Sequence, residues 1–119
     1  MAGTSNRRAA LPGDGGSLAK ALDVIGNRSA LLILREALCG TTRFGEFARR
    51  AGISEPVTAA RLRELVSHGL LEREDYRRPG QRTRQRYRLT AKGTELLPAI
   101  VALTQWSDRW FDEPGGGLD

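Results

Sequence analysis

The sequence predicts a mainly α-helical domain with one small β-hairpin, an α+β class of fold, and three observations carry that prediction. Across 17–68 the apolar residues recur at the three- and four-residue spacing of helices, parted by glycines. After Gly69 the period shortens to two in a pair of short runs flanking Pro79-Gly80, the pattern of two strands joined by a turn. From Thr90 the helical period returns and runs on to Trp106, Trp110 and Phe111.

The first helix is expected over 17–25, capped by Ser17, with Leu18, Ala21, Leu22 and Ile25 on one face and Gly26-Asn27 as its stop. The second, over 28–39, carries Leu31, Leu32, Ile33, Leu34 and Leu38 almost all round, the mark of a buried central helix, and ends at Gly40. Thr41-Thr42 caps a third over 43–51, where Phe44, Phe47 and Ala48 face one way until Gly52 breaks it. The fourth, about 54–68, has Ser54 as N-cap, Pro56 in its first turn and Leu62, Leu65 and Val66 as its inner stripe. Strands follow over 70–74 and 85–89, Tyr87 and Leu89 alternating with Arg86 and Arg88. Thr90 caps a last helix to about Phe111, which Pro98 should kink or leave with an unpaired carbonyl. A short helix, a glycine turn and a longer helix make a helix-turn-helix, and a hairpin after it makes a wing. The domain is placed at 17–112, with dimerisation helices at 17–26 and 90–112 and flexible tails at 1–16 and 113–119.

A chain of 119 residues, 39% of them hydrophobic, is sized for one domain with a modest core. No apolar run approaches the roughly 18 residues of a membrane span, and the opening MAGTSNRRAALPGDGGS holds no signal-peptide core. A cytoplasmic, nucleoid-associated protein with no membrane partner is expected. Cys39 and His68 are each single, too few for a zinc site or an internal disulfide. No nucleophile elbow, phosphate loop or dinucleotide-binding glycine motif occurs, so the chain reads as no enzyme, with no metal and no cofactor. Cys39 reads as a small, partly buried hydrophobe, and His68 as a residue at a helix C-terminus. Glu72, Glu74 and Asp75 read as a solvated or self-pairing acidic surface.

Net charge is +5, and 17 of the 19 basic residues are arginine. Over 41–92 thirteen basic residues face six acidic ones, an excess of seven, so the flanks together are slightly acidic. Arginine concentrated in one region points to a polyanion, because its fork matches phosphate oxygens and guanine edges.

On the fourth helix, taken as a recognition helix for the major groove, the candidates are Ser54, Glu55, Pro56, Thr58, Ala59, Arg61 and Arg63. Thr58 either meets a thymine methyl or, four residues before Leu62, faces the core; Glu55 in the first turn also fits simple helix-dipole stabilisation. In the wing at 75–88, Arg77, Arg78, Arg82, Arg84, Arg86 and Arg88 place six arginines within twelve residues. Such a wing would follow the adjacent groove and backbone, Arg82 and Arg84 foremost, while the strand arginines Arg86 and Arg88 flank phosphates. Arg43, opening the third helix, is a further phosphate candidate. The apolar arc of the outer helices (Leu18, Ala21, Leu22 and Ile25 on the first, Leu97, Ile100, Val101, Leu103, Trp106 and Trp110 on the last) reads as a dimer interface.

The segments Ala21-Leu-Asp-Val-Ile-Gly-Asn-Arg28, ALLILREALCG, RFGEF, GIS, ARLRELVSHGLLERE and RYRLTAKGTELLP, followed by Trp106, resemble the HxlR-type family of winged helix-turn-helix transcriptional regulators. The likeness covers about 18–110 with the segments in the family's order. It implies a homodimer held by the first and last helices, recognition helices in successive major grooves of a pseudo-palindromic duplex operator, and wings beside them. Arg61 matches an arginine common at that place. Two departures stand out. Ser29 takes the position where the family usually has Trp, which removes an aromatic packing element and is expected to alter the dimer core. Oxidant-sensing members use a cysteine just ahead of the first helix, and none lies in 1–38 here, so that mechanism is not carried over. A small-molecule effector, if there is one, would act at the dimer interface. The competing expectation is a winged-helix module for protein–protein assembly without DNA readout.

Overall fold

The computed structural model of the protein describes residues 10–111. Its elements run α1 (Gly16–Ile25), α2 (Arg28–Leu38), α3 (Phe44–Ala51), α4 (Glu55–Ser67), β1 (Leu71–Tyr76), β2 (Arg84–Leu89), α5 (Ala91–Thr94) and α6 (Leu97–Trp110). Most of the tail expected at 1–16, and all of the one expected at 113–119, lie outside the described residues.

Local chemistry sets most of these boundaries. The Asn27 side chain accepts from the Ala30 N–H at 2.8 Å, so Gly26-Asn27 both stops α1 and caps α2. Ser54 caps α4 through the Val57 N–H, with Pro56 in the first turn, and Thr90 caps α5 through the Gly93 N–H. Gly52, at φ 69°, makes the left-handed turn between α3 and α4 that a side chain would resist. Two expectations are corrected. Ser17 is not the cap of α1: Gly15, left-handed at φ 96°, starts the helix a residue earlier, while Asp14 accepts the Gly16 N–H at 2.9 Å. The last helix is not one kinked rod but two helices. Pro98 stands in the first turn of α6, where its missing N–H leaves no bond unmade; continuing α5 would drive its ring against the Thr94 carbonyl, so the chain breaks at Glu95-Leu96.

The core lies where α2, α3, α4 and β1 converge. Ile33, Leu34, Phe47, Leu62, Leu65, Leu70 and Leu71 are buried, with Phe44, Tyr87, Leu89 and Ile100 packed around them. As expected, α2 is central, burying Ala30, Ile33, Leu34, Glu36 and Ala37. β1 and β2 pair antiparallel from Leu71↔Leu89 to Tyr76↔Arg84. The α2–α3 linker adds a partial third strand, with an isolated bridge between Arg43 and Arg86 and the Tyr87 N–H donating to the Thr42 carbonyl at 2.8 Å. The hairpin is thereby tied to the start of α3.

Gly93 fixes how α5 seats on the hairpin base. A Cβ there would fall 2.2 Å from the Leu70 carbonyl oxygen and 2.9 Å from a Leu89 methyl. Backbone cannot yield as a flexible side chain can, so Gly93→Ala should destabilise the domain by about 1–3 kcal/mol, the range for overpacked sites. Thermal unfolding checks this; a midpoint equal to that of the unsubstituted protein contradicts the packing described.

Candidate nucleic-acid interface

The α4 helix buries Thr58, Leu62 and Leu65 and turns Glu55, Pro56, Arg63, Glu64 and Ser67 to solvent. Thr58 is fully buried and its hydroxyl donates to the Ser54 carbonyl at 2.8 Å, so it belongs to the core and is withdrawn as a thymine contact. Ser54 is exposed, but its hydroxyl accepts from the backbone as the helix cap. Ala59 and Ala60 are both half-buried; Ala60, which sequence reading passed over, stands four residues from Pro56 and three from Arg63, between those exposed positions. Arg61 is half-buried and places Nη1 2.9 Å from the Glu64 carboxylate. Arg63 makes no ion pair among the described residues, and with Arg73 it flanks a cleft between α4 and the hairpin lined also by Ala59, Val66, Ser67 and Tyr87.

The turn at the wing tip follows from Pro79-Gly80. Gly80 has φ 77° and the Gln81 N–H donates to the Arg78 carbonyl at 3.0 Å, a tight turn with proline at its second position and glycine at its third. Arg77, Arg78, Arg82 and Arg84 are exposed around it and form no ion pair among the described residues. The Nε of Arg77 donates to the Gln81 carbonyl at 2.8 Å, which stiffens the tip. Beside the wing, Arg43 at the N-cap of α3 lines one recess with Arg49, Tyr76 and Arg84. Sequence reading did not single out Arg49, Arg73 or Tyr76.

Strand register sorts the hairpin into two faces. Leu71/Leu89, Arg73/Tyr87 and Asp75/Gln85 share the core-side face, while Glu72/Arg88, Glu74/Arg86 and Tyr76/Arg84 share the other. On that outer face one oxygen, Glu74 Oε1, accepts from Arg86 Nε at 2.7 Å and also from Arg88 Nε. Arg86 further stacks on the Tyr76 ring, 4.9 Å from its centroid, with Arg43 at 5.8 Å. The bond from Arg88, then that from Arg86, holds the Glu74 carboxyl below the ordinary glutamate value against the opposing effect of desolvation. The clamp is therefore charged throughout the neutral range. Its contribution to stability is complete above the ordinary glutamate value and fades only as pH falls through the lowered one.

The outer helices present an uncovered apolar surface. Neither α1 nor α6 buries a residue within the described chain. Leu18, Leu22, Leu97, Val101, Leu103, Trp106 and Trp110 are exposed, Trp106 by 51% and Trp110 by 69%. Ala21 is exposed too, whereas Ile25 and Ile100 are half-buried against the chain's own core. Cys39, expected to be partly buried, is exposed because it caps the C-terminus of α2 where that helix leaves the core. His68 does cap α4, but the cation reaching its carbonyl is Lys92, whose Nζ donates at 2.7 Å.

A short helix, a left-handed glycine, an exposed second helix and an arginine-tipped hairpin define a winged helix-turn-helix. Among the described residues no helix is long and apolar enough to cross a membrane. A model of the HxlR-like helix-turn-helix family matches residues 24–114, and the chain belongs to that family of transcription regulators. It is 46% identical over 103 residues to an uncharacterised HTH-type transcriptional regulator of Mycobacterium tuberculosis, covering 87% of this chain and 64% of that one; it thus spans a little under two thirds of that relative's length. With the uncharacterised regulator YvaP of Bacillus subtilis it shares 34% identity over 78% of this chain and 85% of the other. Among solved structures it is similar to PA1607, a candidate transcription factor, at 41% identity and TM-score 0.74 over 92% of this chain and 72% of that one. The redox regulator HypR in its oxidised form aligns at 28% identity and TM-score 0.72 over 82% and 99% of the two chains.

Proposed function

We propose that the chain binds double-stranded DNA sequence-specifically as a homodimeric transcriptional regulator. The helix at 54–68 enters the major groove by its Glu55, Pro56, Ala60 and Arg63 face, and the wing at 75–88 meets the adjacent groove or backbone. The observation that carries this reading is the wing tip: Arg77, Arg78, Arg82 and Arg84 are exposed and unpaired among the described residues, on a hairpin tied to α3 and packed beside α4. Unpaired guanidinium groups on a stiff turn suit phosphate, whose neutralisation releases counterions and makes affinity steeply salt-dependent. Arg43 extends the same cationic surface to α3, where Arg49 is paired with Glu46 at 3.6 Å. The exposed tryptophans and leucines of α1 and α6 supply the second half of the reading, since a two-fold pair would cover them and present two recognition helices to one face of the duplex.

A salt titration tests this. With roughly six to ten phosphates neutralised by the pair, affinity for duplex DNA should fall about 10³- to 10⁵-fold between about 50 and 200 mM salt. An assembly module built on the tryptophans would hardly respond to salt, and that outcome would replace the DNA reading with the protein–protein one.

A further inference from the structure

The hairpin carries arginines in two electrostatic states. Arg77, Arg78, Arg82 and Arg84 at the tip have no carboxylate partner among the described residues, whereas Arg86 and Arg88 both donate through Nε to one oxygen of Glu74. Cross-strand pairing produces this: Glu74 is the register partner of Arg86, and Arg88 stands two residues along β2 on the same face. The clamped groups remain near solvent, with 33% of the Arg86 side chain and 53% of the Arg88 side chain accessible. Burial therefore does not keep them from a polyanion. Glu74 does. Arg86 has a second anchor in the Tyr76 ring, 4.9 Å away, whereas among the described residues the ion pair of Arg88 is with Glu74, its register partner Glu72 making none.

From this geometry we propose that Glu74 is a specificity-determining positioning residue, which withholds Arg88 from the DNA backbone, Arg86 being held by Tyr76 as well, so that the wing engages by its tip. The proposal rests on the DNA-binding reading above. Its physical content is that phosphate contacts add affinity for every sequence alike, while base contacts discriminate. An arginine withheld from phosphate lowers sequence-independent binding and leaves recognition by α4 intact. Glu74 touches no base in this scheme; it acts through the arginines it holds.

The test compares the full chain with Glu74→Gln, Arg88→Ala and the double variant, titrating a random-sequence duplex and a selected operator duplex at several salt concentrations. Glutamine keeps the shape and removes the charge. With Glu72→Gln also present in every protein compared, so that this residue opposite Arg88 cannot take it over, Arg88 is released while Arg86 stays on Tyr76. Each arginine newly placed on phosphate steepens the dependence of log affinity on log salt by about 0.9, which multiplies the affinity ratio across a fourfold change of salt by about three. Glu74→Gln is expected to show at least that increase on random duplex and a reduced preference for the operator. Arg88→Ala alone is expected to keep the slope of the Glu72→Gln background, and Arg88→Ala added to Glu74→Gln is expected to restore it. Proton exchange at the Arg88 Nε, followed by NMR without DNA, should accelerate in Glu74→Gln. A general loss of stability would not produce this combination. An unchanged slope in Glu74→Gln overturns the proposal while leaving DNA binding in place, and a flattened slope in Arg88→Ala alone overturns it too. Failure of the unsubstituted protein to bind any duplex would instead overturn the functional reading on which the proposal stands.

Discussion

Replacing Trp106 by glutamate should leave the domain folded and abolish its self-association, with operator affinity falling alongside. The expectation follows from where Trp106 spends its surface. No residue of α6 is buried in the described chain, and the packing partner recorded for the indole is Phe111, edge-on at 5.2 Å between centroids. The substitution therefore removes little from the fold of one chain, and its effect falls on whatever covers that face. An aromatic anchor central to an interface costs about 2 kcal/mol or more on truncation, and two-fold symmetry counts it twice. The dimer should thus weaken by about a thousandfold, and by more because each glutamate would be desolvated. Sedimentation velocity reads the association and a thermal melt reads the fold. A melt unchanged from the unsubstituted protein with the dimer intact would place the two-fold contact elsewhere.

The second large effect is expected at the wing. Arg82→Ala together with Arg84→Ala should lower affinity for operator and random duplexes alike and flatten the salt dependence by nearly two contacts per wing. Neither arginine makes an ion pair among the described residues, and both are exposed, so the pair can be removed at little cost to stability. A charge-assisted contact contributes about 1.5 kcal/mol, so two of them amount to about a hundredfold per wing, and the two wings of the pair to about ten-thousandfold in affinity. Filter binding on both duplexes at stepped salt decides the matter. If the double variant binds as tightly as the unsubstituted protein at every salt, the wing does not reach the duplex.

These two sites differ in how far they could be read from the sequence. The arginine tip was legible because proline and glycine fix a turn locally, and charge density needs no three-dimensional information. The core helices were legible for the same reason: the period at Ile33, Leu34, Leu62 and Leu65 survives whatever packs against it. Thr58 was ambiguous because α4 runs its reading face and its core face close together; only burial decides between them. The break before Pro98 was misplaced because proline acts on the carbonyl four residues earlier, so the helix ended at Thr94 rather than bending at the proline. The acidic run at 72–75 reads from sequence as a solvated or self-pairing surface, without showing that Glu74 clamps two arginines. Glu72, Glu74 and Asp75 look alike in sequence; the register puts both Glu72 and Glu74 opposite an arginine, and only the side-chain contacts show that Glu74 holds two. Arg49 and Arg73 were passed over because they lie outside the dense arginine run and meet the others only through tertiary packing.

The most direct test is one sedimentation experiment: the unsubstituted protein with a fluorescent operator duplex, at low and then at raised salt. A dimer is expected free in solution, a complex of two chains per duplex at low salt, and release of the DNA from an intact dimer as salt rises. A chain that sediments as a monomer, or a duplex that sediments unbound at low ionic strength, would contradict the DNA-binding dimer.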